Sequence, residues 1–420
     1  MRGARHAPDV RASGSATYGG NVWRFFVFNG LLNFILWVPI WVVFLQGRGV
    51  TLSQIGLLEA GAWLLAAAVE VPTGAIADRW GRKAAIALGA ALYSAAMFLV
   101  LAEVLSPLFL LGYALWNSSM AFVGGADSAF LYDSLRADGR EAEAAEQTGR
   151  YLAVQQASQG AAALLGAWLA TIDITLCFTV AGICGLAATA MALSLKEPPR
   201  LEAGDSPLGY WRNLRVATGI AARRPVVRWL LLLGAILPLI PLTIYYVLLQ
   251  PYAIGVGLPI AWLGVVVLGV QVTTVLASWL AHRVEGRIAV PTLAGAGIAM
   301  VAVAAAVLGW FPSVPVLAFV LVIAIVPATL QPLLSARLNH LIPSTQRATV
   351  LSFNGLVTEL GLAITFPAML GLADRLGPPA ATGLGAGLFA LVVIPLFLLW
   401  RSAERRTPPR AGPTVAIAPA

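Results

Sequence analysis

The stretch Gly74-Ala-Ile-Ala-Asp-Arg-Trp-Gly-Arg-Lys83 lies between two long apolar runs and concentrates charge in a very short connection. Two membrane spans joined by so short a loop must run antiparallel, so the stretch is predicted to form a tight hairpin at a membrane surface. Glycine within it allows a positive φ at the turn and close approach of a second helix. The residues predicted to carry the function of this hairpin are Gly74, Asp78, Arg79, Gly81, Arg82 and Lys83.

The composition places most of the chain in lipid rather than in water. Hydrophobic residues make up 59% and charged residues 11% of the 420 positions, and the mean hydropathy is +0.83. A soluble domain has about 25% charged residues. The net charge of +8 is spread over loops between apolar runs, so we expect a lipid bilayer and no nucleic acid as a partner.

Few side chains are suited to catalysis or metal binding. Cys177 and Cys184 lie in an apolar run and are predicted to be buried hydrophobic residues. The three histidines fall in polar loops, so the sequence assembles neither a metal site nor a nucleophilic triad. No nucleotide-binding loop occurs, and we expect no cofactor and no enzymatic activity.

The sequence predicts an all-α membrane protein with twelve spans of about 20 apolar residues each. They are residues 22–45, 54–76, 84–103, 106–134, 150–170, 173–195, 228–250, 259–281, 289–310, 314–337, 347–371 and 380–401. A long polar connection divides them into two groups of six, which predicts two pseudo-symmetric six-helix bundles. The predicted regions are a cytoplasmic tail at 1–20, a first bundle at 21–195, a central loop at 196–227, a second bundle at 228–402 and a disordered tail at 403–420.

The distribution of basic residues predicts the orientation of the spans. When the twelve spans are counted in order, 25 of the 27 Lys and Arg residues fall on the side of the amino terminus. Only Arg48 and Arg375 fall on the other side. Because basic residues concentrate in cytoplasmic loops, both termini are predicted to be cytoplasmic.

The spacing Gly-x-x-x-Asp-Arg-x-Gly-Arg-Lys resembles the signature loop between helices 2 and 3 of the major facilitator superfamily of secondary transporters. The strings Glu70–Gly74, Tyr132–Leu135 and Arg347–Ser352 are similar to those of bacterial members of drug-efflux type. The resemblance implies a monomer in the bacterial inner membrane that moves a small-molecule substrate by alternating access. It also implies that spans 1, 4, 7 and 10 line a central cavity, with spans 3, 6, 9 and 12 outside.

The same resemblance assigns roles to the hairpin. In that family the loop Asp packs against the amino-terminal end of helix 11, and the second loop Arg pairs with an acid of helix 4. The corresponding residues here are Asp78, Arg82 and Asp133. The resemblance therefore implies a latch that holds the two bundles in an outward-open state. An arginine in span 4 and a Gly-Pro pair in span 5, found in many drug antiporters, are missing, which leaves the substrate open.

Polar side chains within spans are costly in lipid and are expected to face a water-filled interior. Spans 3, 6, 9 and 12 carry few of them. For any one amide or hydroxyl, a hydrogen bond between helices is the alternative to substrate contact. The candidate cavity residues are Asn29, Asn33, Trp37, Asn117, Tyr246, Gln250, Gln331 and Asn354.

Four acidic residues fall inside predicted spans. Glu59 is near the outer end of span 2, where water can reach it, whereas Glu70, Asp127 and Glu359 are the candidates for proton coupling. A carboxyl group in a low dielectric binds a proton more readily than in water, so it can carry protons near neutral pH. A buried hydrogen bond or ion pair is the structural alternative.

These observations favour a proton-coupled efflux antiporter for amphipathic or drug-like compounds. An uptake symporter or facilitator for a sugar or another metabolite is the alternative within transport, for which more paired polar and charged residues would be expected. A channel or a membrane enzyme is the alternative from a different class. An enzyme would need a cluster of reactive side chains near one membrane face, and the sequence has none.

Overall fold

The structure is a computed structural model that describes residues 18–199, 219, 223–284, 287–342 and 347–406. Within these ranges the side chains of residues 70–72, 74–78, 280–282, 284 and 348–349 lie outside the description. The predicted tails at 1–20 and 403–420 and the central loop at 196–227 fall largely outside the described residues.

The described chain is built of helices, as the sequence predicts. In the first half, span 1 comprises Gly19–Leu32 and Trp41–Gly47, span 2 is Leu52–Trp80, span 3 is Arg82–Leu99, span 4 comprises Pro107–Val123 and Ala126–Ala137, span 5 is Ala144–Leu169 and span 6 is Thr175–Ser194. A short 3₁₀ helix, Glu141–Glu143, joins spans 4 and 5.

The second half repeats this order. Span 7 comprises Pro225–Ile236, Leu239–Thr243, a π-helical turn Ile244–Leu248 and Leu249–Gly255; span 8 is Ile260–Val284, span 9 is Val290–Trp310, span 10 is Phe319–Leu341 after a 3₁₀ turn Pro315–Ala318, span 11 is Arg347–Leu376 and span 12 is Pro378–Arg405.

Ten of these spans, in the described part of the chain, are helices long and apolar enough to cross a membrane by themselves. The other two are spans 1 and 5. Span 1 is interrupted at residues 33–40, so neither of its helices reaches 18 residues. Span 5 begins with a polar segment, AAEQTGRY, before its apolar half. Both are packed among other spans, where neighbouring helices can satisfy their polar groups.

Glycine and proline mark the places where the helices break. Gly81 has a φ of +102° and separates spans 2 and 3 by one residue, which gives the tight hairpin that the sequence predicts. Gly125 has a φ of +79° and divides span 4. These conformations are readily available to glycine and strained for other residues.

The spans form two six-helix bundles that are related by a pseudo-twofold arrangement. In the first bundle, span 3 packs on spans 4 and 6, and in the second, span 9 packs on spans 10 and 12. The bundles meet where span 2 packs on span 11 and where span 5 packs on span 8. The predicted fold of two pseudo-symmetric bundles is confirmed.

The two ends of the bundles differ in how closely they meet. We call the face at which the described chain begins and ends the terminal face, and the other the opposite face. Near the opposite face, a Cβ atom on Gly56 would lie 2.7 Å from the Cα atom of Pro367, and one on Gly264 would lie 2.3 Å from the carbonyl oxygen of Ala163. Each contact joins one bundle to the other, so small residues allow the bundles to close at this face.

Replacing Gly56 with Ala is expected to destabilise the described state by about 1–3 kcal/mol, because the new methyl group would overlap the backbone of span 11. The matched control is Gly61→Ala in the same helix, where a Cβ atom would meet nothing within 4 Å. The measurement is the thermal unfolding of both variants in detergent. Equal unfolding temperatures for the two variants would contradict the close approach at Gly56.

Candidate functional site

A cavity of about 670 Å³ lies between the two bundles. Its walls come mainly from spans 7, 8, 10 and 11 of the second bundle, with Trp63 of span 2 and two glutamines of span 5 from the first. The cavity extends toward the terminal face as far as Ser335 and Leu351. Spans 7 and 10 line it as expected, whereas spans 1 and 4 do not contribute to its described walls.

The polar lining of this cavity consists mostly of amides and hydroxyls. Its amide side chains are Gln156, Gln159, Gln271, Gln331 and Asn354. The Oε1 atom of Gln271 is buried and has no hydrogen-bond partner among the described residues. One carboxyl group, Glu359, and no Lys or Arg belong to the described lining. Such a wall can orient a neutral or cationic solute and offers no counter-charge to an anion.

The predicted cavity residues occupy three kinds of place. Tyr246, Gln331 and Asn354 line the central cavity, and Trp37, Gln250 and again Tyr246 line a smaller chamber beside it. The Nδ2 atom of Asn117 donates to the carbonyl oxygen of Tyr113, four residues earlier in its own helix. Asn117 lines neither space. The other two, Asn29 and Asn33, are buried and belong to a polar network.

This network runs through the first bundle from span 4 to the central cavity. The hydroxyl of Tyr151 donates to Asp127 Oδ2 at 2.6 Å and also contacts Asn29. Asn29 in turn accepts from Asn33, 3.2 Å away. Asn33 Oδ1 accepts from Gln155 at 3.1 Å and from Gln159 at 3.0 Å. Because Gln159 lines the cavity, an unbroken series of polar contacts joins the cavity to Asp127.

Gln250 of span 7 closes the cavity toward the opposite face. It is 3% exposed, and its amide makes two bonds to the backbone of span 1 in the other bundle. The Nε2 atom donates to the carbonyl oxygen of Val38 at 2.9 Å, and Oε1 accepts from the N–H of Val42 at 2.8 Å. Both backbone groups lie at or beside the interruption of span 1, so the side chain replaces bonds that a continuous helix would make.

A second contact between the bundles lies at the opposite face itself. Asp374, near the end of span 11, accepts from the hydroxyl of Ser53 at 2.7 Å and from the N–H of Leu52 at 3.3 Å. Leu52 is the first residue of the span 2 helix, so the carboxylate lies at the positive end of that helix. Together with Gln250, Asp374 accounts for four hydrogen bonds that cross between the bundles at this side.

At the terminal face, the predicted hairpin makes its described contacts within the first bundle. Arg82 pairs with Asp133 of span 4, and the same guanidinium donates to the carbonyl oxygen of Ala129 at 2.5 Å. Glu197, just after span 6, accepts from the N–H groups of Arg82 and Lys83, each at 2.8 Å. The carboxylate therefore caps the amino-terminal end of span 3.

Other predicted residues are placed only in part. Arg79 is exposed in the last turn of span 2, where a cation interacts favourably with the helix dipole. Gly74 and the backbones of Glu70 and Asp78 belong to the same helix, but both acidic side chains lie outside the described residues. Glu359 lies in the cavity wall and has a polar partner.

Several residues of these sites carry no signal in the sequence. Asp374 and Glu197 are acids in polar connections or at helix ends, where carboxylates are common. Trp41 and Trp116, which also line the smaller chamber, lie in apolar runs in which a tryptophan is an ordinary residue. By contrast, Gln271 and the three glutamines of span 5 are identifiable from the sequence, because they are polar side chains within apolar spans.

Replacing Gln250 with Leu is expected to favour opening at the opposite face. Two buried backbone groups would lose their partners in the described state, at a cost of about 1–3 kcal/mol each, and the sum corresponds to a population shift of about 30-fold or more. The measurement is the distance between spin labels on cysteines at Gly47 and Gly255, both exposed, in a chain without Cys177 and Cys184. The control is Gln46→Leu, an exposed residue of span 1. An unchanged distance distribution in Gln250→Leu would show that this side chain does not hold the face closed.

Comparison with known proteins agrees with this architecture. The sequence profile described as Major Facilitator Superfamily matches residues 23–324. A search of curated protein sequences gave no match. Among solved structures, a bacterial homologue of the human lysosomal transporter Spinster, in an inward-facing and occupied conformation, superposes with a TM-score of 0.71 at 15% identity, over 94% of this chain and 98% of its own.

Two further structures superpose over almost their full length. The nucleoside transporter NupG gives a TM-score of 0.72 at 12% identity, over 94% of this chain and 100% of its own. A D-xylose-proton symporter gives 0.69 at 12% identity, over 92% and 98%. At these identities the likeness concerns the fold. The profile match over most of the chain, together with two bundles that enclose a central cavity, shows that the chain belongs to the Major Facilitator Superfamily and is a multi-pass membrane transporter.

Proposed function

We propose that this transporter is a proton-coupled efflux antiporter that moves an amphipathic small molecule by alternating access. The observation that carries the proposal is the central cavity of about 670 Å³, which extends toward the terminal face while two sets of contacts close the opposite face. A cavity accessible from one side at a time is what alternating access requires.

The lining supports an amphipathic solute. Tyr245, Tyr246 and Trp63 provide flat apolar surface, and the amides of spans 5, 8, 10 and 11 provide hydrogen bonds. A sugar site would be expected to carry more paired polar and charged groups. The absence of Lys and Arg from the described lining disfavours anionic metabolites. Uptake of a nutrient is the second candidate. Overexpression separates the two: an efflux transporter should raise the tolerance of toxic compounds, whereas an uptake transporter should support growth on its nutrient.

The orientation that we propose places the terminal face in the cytoplasm of a bacterial cell. The support is the asymmetry of 25 of 27 basic residues, which follows the positive-inside rule. The described state is then inward-facing. A single chain encloses the whole cavity, so we also propose that the monomer is the functional unit and that it works without a cofactor.

We propose that at least one of Glu70, Asp127 and Glu359 exchanges the proton. Glu359 is favoured by its place in the cavity wall, where substrate and proton can compete. Asp127 is favoured by the network through Tyr151 and Asn29 that connects it with the cavity. Glu70 belongs to the helix of span 2, but its side chain lies outside the described residues, so its proposed role rests on the sequence alone.

Proton coupling is tested in vesicles that contain the purified transporter and carry an imposed pH gradient. We expect the gradient to drive accumulation of a lipophilic dye, and Glu359→Gln to abolish the drive while exchange of dye between equal pH values continues. Asp127→Asn and Glu70→Gln are measured beside it. Dye movement that ignores the gradient, in the native protein and in all three variants, would exclude proton antiport.

We propose further that Asp78 and Asp374 act as reciprocal latches on the two faces. Spans 2 and 11 are antiparallel neighbours, so an acid near the end of either helix lies beside the beginning of the other. Asp374 holds this relation to Leu52 in the described state. The family resemblance gives Asp78 the same relation to the start of span 11 in the alternate, outward-open state, whereas the Arg82–Asp133 pair is already made within the first bundle in the described state.

The two latches are expected to respond in opposite directions to loss of charge. A carboxylate at a helix amino terminus contributes about 0.3–1 kcal/mol, so Asp374→Asn should raise the population open at the opposite face about two- to fivefold, and Asp78→Asn should lower it by a similar factor. Spin labels at Gly47 and Gly255 report both shifts. Asp173→Asn, in a loop of the same face as Asp374, is the control. Shifts in the same direction for both variants would contradict the reciprocal arrangement.

A further inference from the structure

A second, smaller chamber of about 100 Å³ lies beside the central cavity on its closed side. Tyr245 and Tyr246 of the π-helical turn in span 7 line both spaces, so the chamber adjoins the cavity through them. Tyr246 is 47% exposed although it lies between the bundles, which shows that it faces open space. Isolated π-helical turns occur frequently at functional sites.

The walls of the chamber include three tryptophans that pack edge to face with their neighbours. Trp37 and Trp116 have ring centroids 4.5 Å apart at an interplanar angle of 80°, and Tyr113 meets Trp116 at 5.3 Å and 89°. Trp41 lies 6.3 Å from Trp116 at 62°. Rings that hold one another at steep angles keep their faces in fixed directions. The three tryptophans thus form an aromatic box around the chamber.

One carboxyl group, that of Glu59, also lines this box. The expectation that water reaches Glu59 is wrong, because the residue is only 8% exposed. Its carboxyl group accepts hydrogen bonds from the hydroxyl of Tyr113 and from the side chain of Trp63. Among the side chains that the structure describes, it has no cationic partner. Neutral donors alone compensate only part of the cost of a buried carboxylate, so the site favours either a proton or a positively charged ligand.

We propose that the chamber is a subsite for a small alkylammonium group, with Glu59 as its counter-charge and the faces of Trp37, Trp41 and Trp116 around it. Aromatic faces attract alkylammonium groups most strongly where water is excluded. The volume equals that of about three water molecules, which suits a head group of about four heavy atoms. The rest of the molecule extends past Tyr246 into the central cavity. The inference rests on the proposed transport function and names its substrate class, an amphipathic organic amine.

The chamber lies next to a contact that holds the opposite face closed. Gln250, which bonds to the backbone of span 1, is part of the chamber wall. A head group held by Glu59 therefore lies beside the contact that must break for the opposite face to open.

Binding is tested with choline and with 3,3-dimethylbutan-1-ol, in which a carbon atom replaces the charged nitrogen. Calorimetry on the purified full-length protein is expected to show that choline binds at least about tenfold more tightly than its neutral counterpart. Glu59→Gln should remove that preference, and Trp116→Leu should weaken choline binding. Glu103→Gln, an exposed acid at the opposite face, is the matched control and should behave as the native protein.

Equal affinity for choline and its neutral counterpart in the native protein would overturn the proposal. So would a choline preference that survives Glu59→Gln in a variant whose unfolding temperature matches the native one. A Glu59→Gln variant that loses proton movement in vesicles while both probes bind alike would make Glu59 a proton carrier and also overturn the subsite. Binding needs no transport, so choline-selective binding without any movement of choline across vesicles would support the subsite and count against the transport function alone.

Discussion

The structure depends on one constraint, which is that every backbone polar group within the bilayer must find a partner inside the protein. Over residues 33–40 span 1 keeps only isolated backbone bonds, such as those from Val38 to Ile35 and from Ile40 to Trp37, and the remaining backbone groups would be costly if this segment faced lipid. The side-chain amide of Gln250 satisfies two backbone groups of span 1 from the other bundle: its nitrogen donates to the carbonyl oxygen of Val38 and its oxygen accepts from the N–H of Val42. A defect in one helix thereby becomes a contact between two bundles.

This contact has consequences for motion. If span 1 were a continuous helix, its backbone hydrogen bonds would be made in every state of the transporter. The span would then not stabilise one state over another. As it is, the closed state of the opposite face satisfies two backbone groups that must find water or other partners when the face opens. The close approaches at Gly56 and Gly264 act in the same direction, since they gain packing only when the bundles meet. The energy of closure is distributed over packing, backbone bonds and one carboxylate at a helix end.

Polar groups elsewhere also differ between the two bundles. In the first bundle, the network from Asp127 through Asn29 and Asn33 is satisfied internally and leads to the cavity through Gln159. In the second, Gln271 leaves an oxygen atom unpaired among the described residues of the cavity wall. The first bundle thus supplies fixed internal structure and the tryptophans of the aromatic chamber, whereas the second supplies most of the surface that meets a solute.

The sequence by itself determined the solvent, the number of spans, the pairing of two halves and the hairpin at Gly81, because hydropathy, basic-residue asymmetry and a glycine at the turn are local or additive properties. The family resemblance implied the pair of Arg82 and Asp133, and the polar residues within spans pointed to Tyr246, Gln331 and Asn354 of the cavity wall. Only the tertiary structure decided that Gln250 bonds to the backbone of span 1, that Asp374 lies at the start of span 2 and that Glu59 lies inside a box of tryptophans. Those relations join residues about 50 to 320 positions apart, and no periodicity records which helix a buried side chain will meet, because that is fixed by how the twelve spans pack.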